Sequence, residues 1–120
     1  ILLAEPRDRS SDTLSAALGS DGHIVISVSD IGDVEQNLEL GIFDALIIDI
    51  DGYENAGSKV IRALREGKYG ATQREMAVIA LRDDTSMENP STPSDIPCDE
   101  IMERPADGDT LLYLLSAIIN

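Results

Sequence analysis

The sequence predicts an α/β fold, a doubly wound parallel sheet of five strands, and three observations predict it. Short apolar runs alternate along the chain with segments whose apolar residues recur at helical spacing. Charged side chains stand just beyond four of these runs, at Glu5, Asp49, Arg82 and Arg104. The chain has 120 residues, 42% hydrophobic and 27% charged, which is enough for one ordinary domain with its own core and leaves no room for a second.

Residues 1–4 form a short apolar strand, and Pro6 in the following Glu5-Pro6-Arg7-Asp8 cannot lie in a central strand, so Glu5 sits at a strand end. Ser10, Ser11 or Asp12 can cap a helix with Leu14, Ala17 and Leu18 inward, stopped by Gly19 and Gly22. Residues 24–28 read as the second strand. Ser29 or Asp30 caps a helix that turns Ile31, Val34 and Leu38 inward until Gly41. Residues 45–48 are the third strand, an apolar run bounded by Gly41 and Gly52 that ends on Asp49 and Asp51. A helix from about Ala56 carries Val60, Ile61 and Leu64 on one face and stops at Gly67. Residues 68–75 read as a polar connection, and 76–81 as the fourth strand.

Residues 86–97 hold Pro90, Pro93 and Pro97, so the helix expected between strands four and five is weak or irregular. Residues 99–102 form the last strand, and Asp107 or Asp109 caps a final helix. Leu111, Leu112, Leu114, Leu115, Ile118 and Ile119 share its inner arc, while Thr110, Tyr113, Ser116, Ala117 and Asn120 take the outer one. Right-handed crossovers between parallel strands favour the flavodoxin-like order 2-1-3-4-5. That order brings Glu5 and Asp49 together at the carboxyl end of the sheet, with Arg82 and Arg104 opposite. Functional groups of open parallel sheets collect there.

Composition excludes several classes of function. A formal charge of −14 repels phosphate backbones, and 3% aromatic residues offer bases no stacking platform, so no nucleic-acid surface is expected. No apolar run approaches the roughly 20 residues of a membrane span. No membrane contact is expected, and the predicted location is the cytoplasm. A chain that opens at Ile1 directly on a strand reads as a domain cut from a longer polypeptide. The single cysteine, Cys98, cannot form an internal disulfide and reads as a reduced structural thiol. His23 reads as an exposed residue at a strand start, and the runs Arg82-Asp83-Asp84 and Arg62-Ala63-Leu64-Arg65-Glu66 as solvated faces.

Over nearly its whole length the chain resembles the receiver domain of two-component signalling, found in response regulators and hybrid histidine kinases. The resemblance rests on Glu5 after the first strand, the apolar run into Asp49, Gly57 eight residues later, the Val78-Ile79-Ala80-Leu81 strand, and Arg104-Pro105. It implies that Asp49 is the candidate acceptor of a phosphoryl group from a kinase histidine. It also implies that Glu5, Asp49 and the backbone carbonyl of Asp51 are the positions that would hold Mg²⁺. A carboxylate attacking a phosphoryl group needs nearby cations to offset the repulsion between them.

The chain departs from the family pattern at three of these positions. Pro6 replaces the second acid, Arg82 occupies the Ser or Thr position, and Arg104 occupies the lysine position. Losing one carboxylate weakens Mg²⁺ binding, while two arginines supply permanent charge in its place. The expected function is therefore a degenerate pseudo-receiver acting by protein–protein interaction. The alternative is a working Mg²⁺-dependent phosphoacceptor in which Arg82 points to solvent and Asp8 or Asp51 replaces the missing ligand. Either way the only enzymatic step in view is self-phosphotransfer onto Asp49.

Ile48-Asp49-Ile50-Asp51-Gly52 also resembles the nucleophile motif of haloacid dehalogenase-type phosphatases, and Glu5 with Asp49 and Asp51 resembles a toprim site. In the first of those families the motif follows the first strand, and the charge argues against the second. Ile101 stands where receivers carry a switch aromatic. Expected partners are a histidine kinase, other domains of the parent protein, and a second copy meeting the uncharged Tyr113 face of the last helix.

Overall fold

The computed structural model describes residues 1–6, 12–50, 53, 56–82, 97–103 and 108–118. In chain order these form β1 (Leu2–Ala4), α1 (Asp12–Ser20), β2 (Ile26–Val28), α2 (Ile31–Leu40), β3 (Ala45–Asp49) and α3 (Ala56–Arg65). A 3-10 turn (Gln73–Glu75), β4 (Ala77–Arg82), β5 (Glu100–Glu103) and α4 (Gly108–Ile118) complete the order. All strand pairs are parallel, in the order β2-β1-β3-β4-β5 that the alternation of elements predicts.

Strand alternation sends successive side chains to opposite faces, and the core divides accordingly. Leu2, Leu46, Ile48, Val78 and Ala80 pack against Val34 and Leu38 of α2 and Val60, Ile61 and Leu64 of α3. Leu3, Ile47, Ile79 and Leu81 pack against Leu14 and Leu18 of α1 and Leu111 and Leu115 of α4. The result is three layers, with β3 and β4 buried along their whole length. On this second face α4 approaches α1 so closely that a Cβ on Gly108 would lie 2.8 Å from Ala17 Cβ.

The glycine stops act through specific geometry. Gly22 and Gly67 both have φ +91°, and each closes its helix in a Schellman arrangement. His23 N donates to Leu18 O (3.1 Å) and Gly22 N to Gly19 O (3.1 Å). Lys68 N donates to Ala63 O (3.0 Å) and Gly67 N to Leu64 O (3.1 Å). Gly19 is not a stop; it lies inside α1, where nothing crowds it. Asp30 is the N-cap of α2 by position, yet its exposed carboxylate makes no capping bond, and its carbonyl accepts from Asp33 N and Val34 N instead.

Two stretches depart from the sequence reading. The connection over 68–75 is not polar throughout, because Tyr69 and Gln73 are buried. Gln73 Nε2 donates to Leu38 O and to Gly41 O (2.6 Å), and its Oε1 accepts from Phe43 N (3.3 Å). It thereby satisfies carbonyls that the end of α2 leaves without helical partners. Nor is the run ending at Glu66 a simple solvated face. Arg65 Nε donates to Pro97 O (2.9 Å), Nη1 to Arg74 O (2.8 Å) and Met76 O (2.7 Å), and Nη2 to Asp99 Oδ2 (3.0 Å). Asp99 Oδ2 also accepts from Val78 N (2.7 Å), so one guanidinium ties α3 to the entries of β4 and β5.

On α4, Leu111 and Leu115 are buried and Leu112, Leu114 and Ile118 pack beside them, while Thr110, Tyr113, Ser116 and Ala117 are exposed. Residues 83–96, with Pro90 and Pro93, and the proposed cap Asp107 lie outside the described residues, as do Ile119 and Asn120.

Candidate functional site

The register builds the site from strand ends. Ala4 pairs with Ile48, so Glu5 follows β1 directly beside Asp49 at the end of β3. Asp49 pairs with Leu81, so Arg82 stands one residue further along the neighbouring strand. Adjacent strands lie about 4.8 Å apart, so all three residues stand at the carboxyl end of the sheet, Glu5 and Asp49 in register and Arg82 one position further on. Glu5 N donates to Val28 O (3.2 Å) and Ile50 N to Leu81 O (3.0 Å), which extends the ladder past both acids.

The apolar run that drives β3 into the core carries its last residue with it. Asp49 is fully buried, and Glu5 and Arg82 are 3% and 7% exposed. A buried carboxylate is costly without a compensating cation or hydrogen bonds. Each of the three has an interaction partner. Arg82 is therefore not part of a solvated face and does not point to solvent, because β4 is buried through its last residue.

Tyr53 is a site residue that the sequence reading missed. Its hydroxyl donates to Ser29 O (2.7 Å), linking the segment after β3 to the one after β2. Burial foremost, then the negative charges of Asp49, Glu5 and Asp30, hold that hydroxyl well above the ordinary phenol range. It is thus a neutral donor within electrostatic reach of both acids. The signal was available, since Tyr53 is one of only four aromatic residues in the chain and lies between two glycines, Gly52 and Gly57.

Gly57, singled out for its spacing, has a steric role. A Cβ there would lie 3.1 Å from Asp49 O and 3.1 Å from Ile50 Cα. The bare backbone of α3 therefore seats against the strand end that presents Asp49.

Arg104, Asp51 and Asp8 lie outside the described residues. Among the described residues no group of three or more His, Cys, Asp or Glu could hold a metal ion. Glu5 and Asp49 supply two carboxylates, and buried Pro6 offers no side-chain ligand. Two carboxylates suffice for a largely hydrated Mg²⁺, so the donor set fits that ion in part. His23 lies at the other end of the sheet, half-buried, with Nε2 3.3 Å from Asp21 Oδ2. Cys98 is a half-buried free thiol whose pKa burial raises. Ile101 is half-buried against the α2–α3 side of the core.

No family model and no curated protein matches the chain. Solved structures do. The receiver domain of sensor histidine kinase PA1611 from Pseudomonas aeruginosa PAO1, which has a magnesium ion coordinated in its active-site cleft, matches with a TM-score of 0.83 and 21% identity, covering 98% of this chain and 94% of that one. The receiver domain of Francisella response regulator 1452 matches with a TM-score of 0.80 and 17% identity, over 98% and 93%. A response regulator receiver domain protein from Clostridium thermocellum matches with a TM-score of 0.75 and 20% identity, over 99% and 93%. The fold is that of a receiver domain.

Proposed function

We propose that the chain is a cytoplasmic receiver-like module of two-component phosphorelay signalling that works mainly by binding other protein domains. The observation that carries this reading is the burial of Arg82 at the same sheet end as the acid pair Glu5 and Asp49. A guanidinium is charged at every physiological pH and forks onto carboxylates. With that charge in place and Pro6 at the second acid position, Mg²⁺ has less to neutralise and one fewer ligand. It would draw on Glu5, Asp49 and the Asp51 carbonyl and bind in the millimolar range or weaker. When bound, the ion would offset charge on the phosphoryl oxygens. Asp49 remains the candidate nucleophile, Arg82 and Arg104 the flanking cations, and Tyr53 a neutral donor at the rim.

A second reading, a working Mg²⁺-dependent phosphoacceptor on Asp49, draws support from the magnesium in the Pseudomonas aeruginosa neighbour. Incubation with acetyl phosphate and Mg²⁺ followed by intact-mass measurement separates the two. The proposal expects little or no adduct, and expects Pro6→Asp combined with Arg82→Thr to gain one. An efficient single phosphoryl adduct on the unmodified chain, lost in Asp49→Asn, overturns it. The proposed partners are a histidine kinase and neighbouring domains, with a homodimer through the exposed Tyr113 face of α4 as a further contact. Among the described residues no helix is long and apolar enough to cross a membrane.

A further inference from the structure

The sheet has two open edges, and they are finished differently. The β5 edge bears Glu100 and Glu103 with Asp99 just before them, the charged border that discourages strand pairing. The β2 edge has no such protection. Residues 22–29 contain no Asp, Glu, Lys, Arg or Pro in a chain where 27% of residues are charged.

Among the described residues no strand pairs with the outer side of β2. Ile26 N donates to Ile1 O (2.9 Å), Ile24 O accepts from Ile1 N (2.8 Å), and Val28 O accepts from Glu5 N (3.2 Å), so residues 24, 26 and 28 turn their peptide groups toward β1. Alternation aims the amide and carbonyl of Val25 and Ser27 outward. No described residue pairs with them.

A groove of about 410 Å³ opens at the amino end of β2, next to the starts of β1 and β3, with Ile24, Ile26, Ile42 and Phe43 in its lining beside Ile1, His23 and Asp44. Ile24 is 84% exposed, Ile42 76% and Ile26 42%, an apolar group that folding leaves in water. Asp21 and Asp44 are exposed beside it, and Asp30 is exposed beyond the other end of β2.

We propose that the β2 edge is a docking site for an extended segment of another protein. That segment adds a parallel or antiparallel strand to Val25 and Ser27, places alternate apolar side chains in the Ile24–Ile26–Ile42 groove, and carries lysine or arginine at its ends. The unpaired peptide groups demand a strand, the groove demands apolar residues at every second position, and the surrounding carboxylates with a net charge of −14 demand basic flanks. The same charge disfavours a second copy of this chain as the occupant.

The test uses the full chain and a short synthetic peptide of alternating valine and threonine with paired lysines at both ends. Titration followed by amide NMR should give saturable shifts at Val25 and Ser27 and slow their hydrogen exchange. Methylating alternate peptide nitrogens, or replacing the lysines by glutamates, should each weaken binding by about tenfold or more. Ile26→Lys should abolish it, and Ile24→Lys, at a more exposed position, decides the matter where Ile26→Lys disturbs folding. Absence of saturation, equal affinity for the glutamate-ended peptide, or undiminished binding by Ile24→Lys overturns the proposal. So does a dimer in sedimentation that Ile24→Lys dissociates, since the occupant would then be a second copy.

Discussion

Replacing Gly57 by alanine tests how α3 is seated against Asp49, and Gly32 supplies an internal control. Both glycines are the second residue of a ten-residue helix, Ala56–Arg65 and Ile31–Leu40 respectively. Alanine should therefore improve helix propensity similarly at each, by about 0.5–1 kcal/mol. Gly32 is exposed, and an added methyl would find nothing within 4 Å, so Gly32→Ala should show that gain alone. At Gly57 the methyl would lie 3.1 Å from Asp49 O and from Ile50 Cα, both backbone atoms at the end of the buried central strand that cannot rotate aside. Overpacking of that kind costs about 1–3 kcal/mol. The difference between the two variants should thus be about 2 kcal/mol, with Gly57→Ala less stable than the parent. With a urea m-value of roughly 1.5 kcal/mol/M, the two midpoints should separate by more than about 1 M. Equal midpoints would show that α3 moves off the strand at no cost, and the argument that Gly57 fixes the geometry at Asp49 would fail.

Arg65→Ala should destabilise the fold by about 2 kcal/mol, because its guanidinium holds main-chain carbonyls of Arg74, Met76 and Pro97 and the carboxylate of Asp99. Hydrogen exchange should quicken first at Val78, whose amide shares Asp99 Oδ2, and unchanged exchange there would discount the clamp. Among the described residues the buried Tyr69 hydroxyl meets no hydrogen-bond partner, so Tyr69→Phe should stabilise the chain by about 1 kcal/mol at neutral pH. Burial, then Glu35 and Glu39, push the Tyr69 hydroxyl up to about 12 from an ordinary value of 10. The folded state thus resists ionisation; stability is intact below about pH 10 and falls between there and about pH 12, a loss that Tyr69→Phe should lessen in urea midpoints measured across that range. Tyr113 is 72% exposed, so Tyr113→Glu should leave thermal stability nearly unchanged while abolishing any self-association measured by sedimentation; unfolding, or an association that survives, counts against that face.

The parallel sheet was legible from alternation, since residues 45–48 and 76–81 are too apolar for anything but buried strands and the helices between them show one inward face each, and its order from the right-handed crossovers that favour 2-1-3-4-5. Gly22 and Gly67 were legible for the same local reason, a turn that requires positive φ. What escaped was what long side chains do after the backbone is set. Arg65 and Gln73 look like ordinary polar surface residues, yet each reaches across 30 or more residues of sequence to meet carbonyls and amides left over by helix and strand ends. Tyr53 escaped likewise, since its bond to Ser29 O depends on two loops meeting at the sheet edge. The acids at the site were visible as strand-end residues. The depth of Arg82 was not, because a hydrophilic run following an apolar strand reads as solvent-facing until the neighbouring strands are in place.

A phosphoryl switch depends on charge that arrives and leaves. Phosphorylation adds close to two negative charges, and it can shift a conformational equilibrium only by as much as it binds one state better than the other. On the proposed reading Arg82 already neutralises part of the acid pair, so less of that difference is left for a phosphoryl group and a metal ion to supply. The uncharged faces of the molecule do not wait on the site. The outer arc of α4 around Tyr113 is exposed, and so is the apolar edge of β2 around Ile24, while Glu5, Asp49 and Arg82 are buried and belong to neither surface. On the proposed reading a module built in this way recruits partners constitutively, and its buried arginine keeps the sheet end closed rather than catalysing transfer.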